Sequence, residues 1–348
     1  MNKTIMKRNV QLSVVAFVLL VISLYVYHND HSRNSLLVSG SDFLKGLDVD
    51  NIEKIVVEQD SQKKIELKRD GMNFYLENFK MYPASNELVN KFLFKLSNIQ
   101  VADAVINNKD KFKTYKVEDG KAKYTVKLFD AKGIKIVEVL IGDELLGRGN
   151  YIRQQNSDTI YLSSEVLSIE TDKFDFMDKE IVKIDKKNVS TILFKKKNGF
   201  VLTKEGDDYL IGGADPSKIN KEKVGELVDA CLDINFDDYS PVDDSTFKEV
   251  DFSSMIIQIK AQQYLAYNLS LADYKSNYYL KVSTELMDAP SEIKISKDDS
   301  KDDLAQKESV LLNRDKSEAF NRKYQLWIYK ISKSKYDALN KELKDLMK

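Results

Sequence analysis

One stretch of this chain occurs twice, and that duplication limits the possible folds more than any other feature. Asn51-Ile52-Glu53-Lys54-Ile55-Val56-Val57 returns as Asn188-Val189-Ser190-Thr191-Ile192-Leu193-Phe194. The run from Ile65 to Leu76 (IELKRDGMNFYL) returns as Phe200 to Ile211 (FVLTKEGDDYLI), with the spacing two residues shorter. A tighter turn at Lys197-Asn198-Gly199 accounts for the difference. Gly71 and Gly206 hold the same place in the next turn, where a positive φ is cheap only for glycine. Ile55/Val57, Ile65/Leu67 and Phe74/Leu76 alternate with period two, the pattern of half-buried strands in a meander. A helix follows in each copy. Ser85 caps the first, which sets Leu88, Phe92 and Leu96 on one stripe; Asn220 caps the second, with Val224, Leu227, Val228 and Cys231.

Both copies then continue with strands. In the first these are Tyr124–Phe129, Ile134–Ile141, Asn150–Gln154 and Thr159–Leu162, with a short closing helix expected from Ser164. In the second they are Met255–Ile259, Tyr264–Leu271, Tyr278–Val282 and Gln325–Ile331, with a closing helix from about Ser334. The stretch 290–323 is charged and poor in apolar residues, and reads as an exposed insertion or mobile loop. The two repeats are therefore placed at 46–182 and 183–348, consistent with a 348-residue chain that one core does not usually organise.

The first residues add a separate expectation. Lys3, Lys7 and Arg8 lie in a basic N-terminus (1–9), and the run Val10–Tyr27 carries no charge. Its length is just enough for a bilayer core, which needs about 20 apolar residues. The run is read as a transmembrane anchor (10–27) followed by a juxtamembrane linker (28–45), with the N-terminus cytoplasmic and residues from about 29 onward outside. A cleaved signal peptide is the rival reading. The expected fold class is thus α+β: an N-terminal transmembrane helix, then two tandem duplicated units of mainly antiparallel sheet with packed helices.

Scarce residues limit the chemistry. The only histidines, His28 and His31, lie beside the apolar run, and Cys231 is the single cysteine. No intrachain disulfide can form, and the body of the chain has no histidine for a triad or a metal site. A formal charge of −1, from 54 basic and 55 acidic residues, gives no basic excess for nucleic acid.

Four motifs remain to be weighed. Gly142, Gly147 and Gly149 invite a phosphate-loop reading, but strand follows strand there and neither a dinucleotide fingerprint nor a Walker loop is completed. The acidic run Asp298–Asp303 lacks the glycine and glutamate of a calcium loop and reads as a solvated charge run. Asp237-Asp238 and Asp243-Asp244 sit in a connector where exposure is the default. Cys231, on an apolar stripe, reads as a buried structural thiol. No catalytic, cofactor-binding or metal-binding residue is assigned, and no small-molecule ligand is indicated. Tyr264, Tyr267, Tyr278, Tyr279, Tyr324, Trp327 and Tyr329 crowd the second copy. Packing explains most of them, while aromatic anchors of this kind also suit a partner-binding face.

The sequence resembles a bacterial family known as domain of unknown function 4340. The resemblance is carried by the apolar N-terminal run, Ile52–Val57, Phe74-Tyr75-Leu76 leading to Pro83-Ala84, and Ile141-Gly142. It continues in Tyr151-Ile152-Arg153, Ile160-Tyr161-Leu162 and Phe176-Met177-Asp178-Lys179. It implies a single-pass protein of the bacterial inner membrane with its body outside the cytoplasm, encoded beside ABC transporter components. On that basis the expected function is a non-enzymatic accessory subunit of an ABC-type transporter or related envelope complex, with the permease and ATPase as partners. An envelope scaffold or adhesion module is the alternative, followed by an extracytoplasmic ligand-binding protein or a carboxylate-dependent hydrolase.

Overall fold

The computed structural model describes residues 37–348, apart from Ser61, Gln262, Gln263, Ser291, Glu292, Ile295, Lys297 and Asp298. The chain divides into two compact units at Met177/Asp178.

The first unit is built on a nine-stranded sheet. Its strands are β1 (Lys54–Gln59), β2 (Lys63–Asp70), β3 (Asn73–Leu76), β4 (Tyr82–Pro83), β5 (Val101–Asn107), β6 (Tyr124–Phe129), β7 (Lys135–Glu144), β8 (Asn150–Gln154) and β9 (Thr159–Ser163). Their order is β4-β3-β2-β1-β6-β7-β8-β9-β5, and neighbours run antiparallel. Register puts Ile55 opposite Leu67 and Leu128, and Val57 opposite Ile65 and Val126, so one face is uniformly apolar. Helix α1 (Asn86–Ser97) buries Val89, Phe92, Leu93 and Leu96, and Ser85 Oγ caps it by accepting the Leu88 N–H. Phe92 meets Phe176 edge-on at 5.4 Å. The other sheet face has a smaller core of its own. Phe112, Val117 and Ala122, from the connector between β5 and β6, pack on Leu140 and Ile160.

The second unit repeats this strand order. A meander of β11 (Val189–Lys195), β12 (Phe200–Glu205) and β13 (Asp208–Ile211) is joined to β16 (Ile256–Ala261), β17 (Leu265–Tyr274), β18 (Asn277–Leu286) and β19 (Trp327–Ile331). With β15 (Asp238–Pro241) at the edge, the order is β13-β12-β11-β16-β17-β18-β19-β15. A separate pair joins β10 (Glu180–Lys183) to β14 (Asp233–Asn235). Ile192 stands opposite Leu202 and Ile259, and Phe194 opposite Phe200 and Ile257, which matches the first unit's apolar face. Helix α2 (Lys221–Leu232) is capped by Asn220 and buries Val224, Leu227, Val228, Cys231 and Leu232. The backbone closes both units in the same way. Ser85 N–H donates to Phe176 O at 2.8 Å, and Asn220 N–H to Leu346 O at 2.9 Å.

Four expectations need correction. In place of the expected α+β fold led by a transmembrane helix, the described residues form mostly antiparallel sheet with four α-helices. Among the described residues no helix is long and apolar enough to cross a membrane, and residues 1–9 and 10–27 lie outside them. The one helix with the length, α3 (Lys301–Tyr324), is charged along its course. That helix is itself the second correction, because it occupies most of the stretch read as an insertion or loop. A capping box between Ser300 and Asp303 starts it, and its own Val310, Asn313, Ser317 and Tyr324 are buried.

Third, the expected linker is already part of the first unit from Leu37 onward. Phe43 N–H donates to Ile99 O at 2.7 Å and Gly40 N–H to Val101 O at 2.8 Å, with the Phe43 ring 1% exposed. Fourth, no helix starts at Ser164. Ser163 Oγ donates to Glu165 O at 2.7 Å and Asn150 Oδ1 accepts the Leu167 N–H at 2.8 Å, so a local and a tertiary bond take up backbone groups that a helix would use. A short 3₁₀ turn at Lys173–Phe176 follows. In the second unit a helix does form there, α4 (Lys333–Leu339), capped by Ser332.

Candidate functional site

Each unit has a cleft at the same place in its fold, between the helix after the meander and the segment after the last strand. In the first unit α1 contributes Lys95 and, with Ile99 just beyond it, an apolar floor of Phe92, Leu96 and Ile99. The opposite wall is the run Glu165-Val166-Leu167-Ser168-Ile169-Glu170, and the cleft holds about 230 Å³. Lys95 Nζ pairs with Glu170 Oε1 across it, while Glu170 Oε2 is buried and accepts no hydrogen bond among the described residues. In the second unit, α2 supplies Lys223, Glu226 and Leu227. Ser334, Asp337, Ala338 and Lys341 of the α4 region face them with Asp345 and Leu346, around about 440 Å³.

A second cluster is centred on Arg153. Its side chain is 1% exposed, although its β8 position reads as one more alternating strand residue. Nε donates to Val117 O at 3.0 Å, and Nη1 to Gln155 O at 2.9 Å and Ser157 O at 3.0 Å. Nη2 meets Asp119 Oδ1 at 2.6 Å, and the guanidinium lies 3.9 Å from the centroid of the Phe112 ring. An arginine bonded through all three of its nitrogens fastens the connector 108–122 to the sheet.

The family described as Domain of unknown function (DUF4340) matches residues 75–251, just over half of the chain. The chain belongs to that family. No curated protein and no solved structure matches it. The DUF4340 match begins in β3 of the first unit and ends in the connector before β16 of the second. It therefore includes the whole Arg153 cluster, the first cleft and α2.

Within this DUF4340 chain, the residues singled out in the sequence are scattered. Gly142 and Gly149 are required by close backbone approach: a Cβ would stand 1.9 Å from Tyr115 O at the first and 2.0 Å from Ser163 O at the second. Gly147 takes φ +76° in the exposed hairpin between β7 and β8. Of the acidic run, Asp298 lies outside the described residues, Asp299 accepts from Lys307 Nζ at 2.6 Å, and Asp303 caps α3. Asp237, Asp238 and Asp243 are exposed. Among the described residues no group of three or more histidine, cysteine, aspartate or glutamate side chains is placed to hold a metal ion. Cys231 is buried, and burial pushes its thiol up to about 12.

Of the seven aromatic residues, Tyr267, Tyr324 and Tyr329 are linked by ring contacts, through Phe320 between the first two and directly at 6.5 Å between the last two. Tyr324, Trp327 and Tyr329 are buried. Tyr267 meets Phe320 of α3 edge-on at 5.2 Å, Tyr278 meets Tyr336 of α4 at 4.6 Å, and Tyr279 meets Phe247 at 5.0 Å. Tyr264 Oη accepts from Gln306 Nε2 at 2.6 Å. Burial, with Asp178 adding to it, raises the Tyr324 phenol above its ordinary range; burial lowers the Lys323 ammonium beside it, where Asp178 pulls the other way. Sequence reasoning did not find Lys95, Glu165 or Glu170. The only signal was two acidic residues in a short apolar run with no glycine or proline.

Proposed function

We propose that this DUF4340 protein is a non-enzymatic accessory subunit of an ABC-type transporter or related bacterial cell-envelope complex, acting through protein–protein contacts. The observation that carries the reading is the setting of the chain's one thiol. Cys231 is buried in the α2 stripe at about 12, far from the thiolate that nucleophilic chemistry needs. Asp237, Asp238 and Asp243 are exposed, where carboxylates are poorly placed for acid–base work. The clefts, by contrast, have apolar floors and charged rims, the composition of small docking sites.

The transporter is named from what the family resemblance implies, and a location at the cytoplasmic membrane is part of the same proposal. Its support is the charge order at the start of the sequence, with Lys3, Lys7 and Arg8 ahead of the uncharged run Val10–Tyr27. The test is gentle detergent purification of the full chain from native membranes, with mass spectrometry of what accompanies it. Recovery of a permease and its ATPase in fixed proportion is the expected result. A chain that arrives alone, or only with wall components, overturns the transporter assignment in favour of an envelope scaffold.

A further inference from the structure

The cleft of the first unit differs from its counterpart in one physical respect. In the second unit the segment facing the cleft is α4, whose backbone is hydrogen-bonded within the helix. In the first unit that segment has no helix or strand of its own: it bends at Ser164 and Glu165 and runs on without regular structure. The N–H and C=O groups of Val166, Ser168, Ile169 and Glu170 have no hydrogen-bond partner among the described residues. Val166 is 44% exposed and Ser168 is exposed too, beside the apolar residues of the cleft. Backbone groups left unpaired in this way can pair with an incoming chain, and an apolar cleft alongside them supplies a pocket for its side chains.

The rim adds a sign. Glu165 and Glu170 stand against the single cation Lys95, and Glu170 has already given one oxygen to that lysine while its other accepts nothing. An incoming segment that fits would bring positive charge or N–H donors, together with an apolar anchor for Phe92, Leu96 and Ile99. The volume of about 230 Å³ suits one or two side chains, not a helix.

From this we infer that the first unit's cleft is a peptide-docking site. It captures an extended segment of a partner polypeptide that carries an apolar anchor flanked by basic residues. The segment pairs with the backbone of residues 166–170. This assignment is independent of the accessory-subunit reading, because the site and the partner's chemistry would stand for a scaffold as well as for a transporter subunit.

The test uses the full chain and fluorescein-labelled octapeptides carrying leucine or phenylalanine with lysine on both sides. A matched set has glutamate in place of lysine, and binding is read by fluorescence anisotropy. The lysine set should bind at least about tenfold more tightly than the glutamate set, and N-methylation of alternate peptide amides should cost about tenfold more. V166D should weaken the lysine set more than tenfold with an unchanged melting temperature, because Val166 is a surface residue. E170Q should weaken that set severalfold and leave the glutamate set unaltered. Methyl shifts should be confined to Leu96, Ile99, Leu167 and Ile169. No binding of the lysine set up to about 1 mM, where the free energy falls to about 4 kcal/mol, overturns the proposal. So does binding that V166D leaves intact. Self-association of the chain that V166D abolishes would make a second copy the occupant and would equally overturn it.

Discussion

Arg153 and Asp119 meet at 2.6 Å with opposite exposures: the arginine side chain is 1% exposed and the aspartate 54%. The aspartate is therefore the solvated end of a buried cation whose other donors go to backbone carbonyls of the connector and the β8–β9 turn. Arg153→Ala would leave the Val117, Gln155 and Ser157 carbonyls without their donors. A cost of about 3–5 kcal/mol is expected, from carbonyls left unpaired at about 1–3 kcal/mol each together with the lost packing of a buried side chain. Asp119→Asn should cost about 1 kcal/mol or less, since solvent screens its side of the bond. Urea denaturation gives both values. Limited trypsin digestion should cut the Arg153 variant first at Lys109, Lys111, Lys113 or Lys116. Equal midpoints for the two variants would show that the connector is held by Phe112 and Val117 alone.

Acid should weaken the first unit through Glu66. Hydrogen bonds from Lys54 first and Lys64 second hold its carboxyl down at about 2, against an ordinary 4.5, with burial opposing them. A carboxyl lowered by folding contributes stability that is complete above its unfolded value and is lost as pH falls toward the folded one. The window is therefore about pH 5 down to pH 2. The amount is on the order of 1 kcal/mol, because solvent reaches all three side chains. Glu66→Gln should flatten that part of the stability curve while leaving the melting temperature at pH 2 nearly unchanged. A parent and variant that lose stability in parallel over this window would count against the assignment.

Cys231 should resist alkylation. With the thiol buried and pushed up to about 12, the thiolate is a minute fraction at pH 8. Iodoacetamide is expected to leave the native chain unmodified over hours and to modify it fully in guanidinium. The rate should follow global unfolding rather than local opening, because Cys231 lies in the buried stripe of α2 with Leu227 and Val228. Rapid labelling of the native protein would mean that α2 opens on its own.

What could be read from the sequence followed from how regular the side-chain pattern was. The meanders were legible because Ile55/Val57 and Ile192/Phe194 alternate strictly, and each of these residues proves buried in its sheet. The caps at Ser85 and Asn220 were legible because a short polar residue precedes an apolar stripe. Helix α3 was not, since two of its four buried positions are Asn313 and Ser317, and a stripe built partly of polar residues leaves no mark in hydropathy. Ser164-Glu165 looked like a helix start, but the Asn150 side chain that takes the Leu167 N–H lies 17 residues away, and no local pattern announces it. The cleft that this segment forms was hidden for the same reason. Arg153 was hidden because a charge in an alternating strand reads as a solvent-facing residue, and only the connector folded over it makes it buried.

The packing of α3 can be tested at Asn321. This side chain accepts the Thr284 N–H through Oδ1 at 2.8 Å and donates from Nδ2 to Thr284 O at 2.8 Å, so it satisfies both backbone groups of one β18 residue. Thr284 Oγ1 adds bonds to Ser317 Oγ at 3.0 Å and Ser317 O at 3.1 Å. These four contacts take the place of an apolar seam along a helix whose exposed face is charged. Asn321→Ala would leave a part-buried N–H and C=O unpaired, at an expected cost of about 1–3 kcal/mol. Asn321→Asp keeps an acceptor for the Thr284 N–H but loses the donor, and should fall between parent and alanine. Hydrogen exchange is the sharper measurement, because loss of this bond should speed exchange at Thr284 and along α3 while leaving β11 and β12 protected. Unchanged exchange along α3 in the alanine variant would place the helix's hold on the sheet elsewhere, at the Tyr267–Phe320 contact.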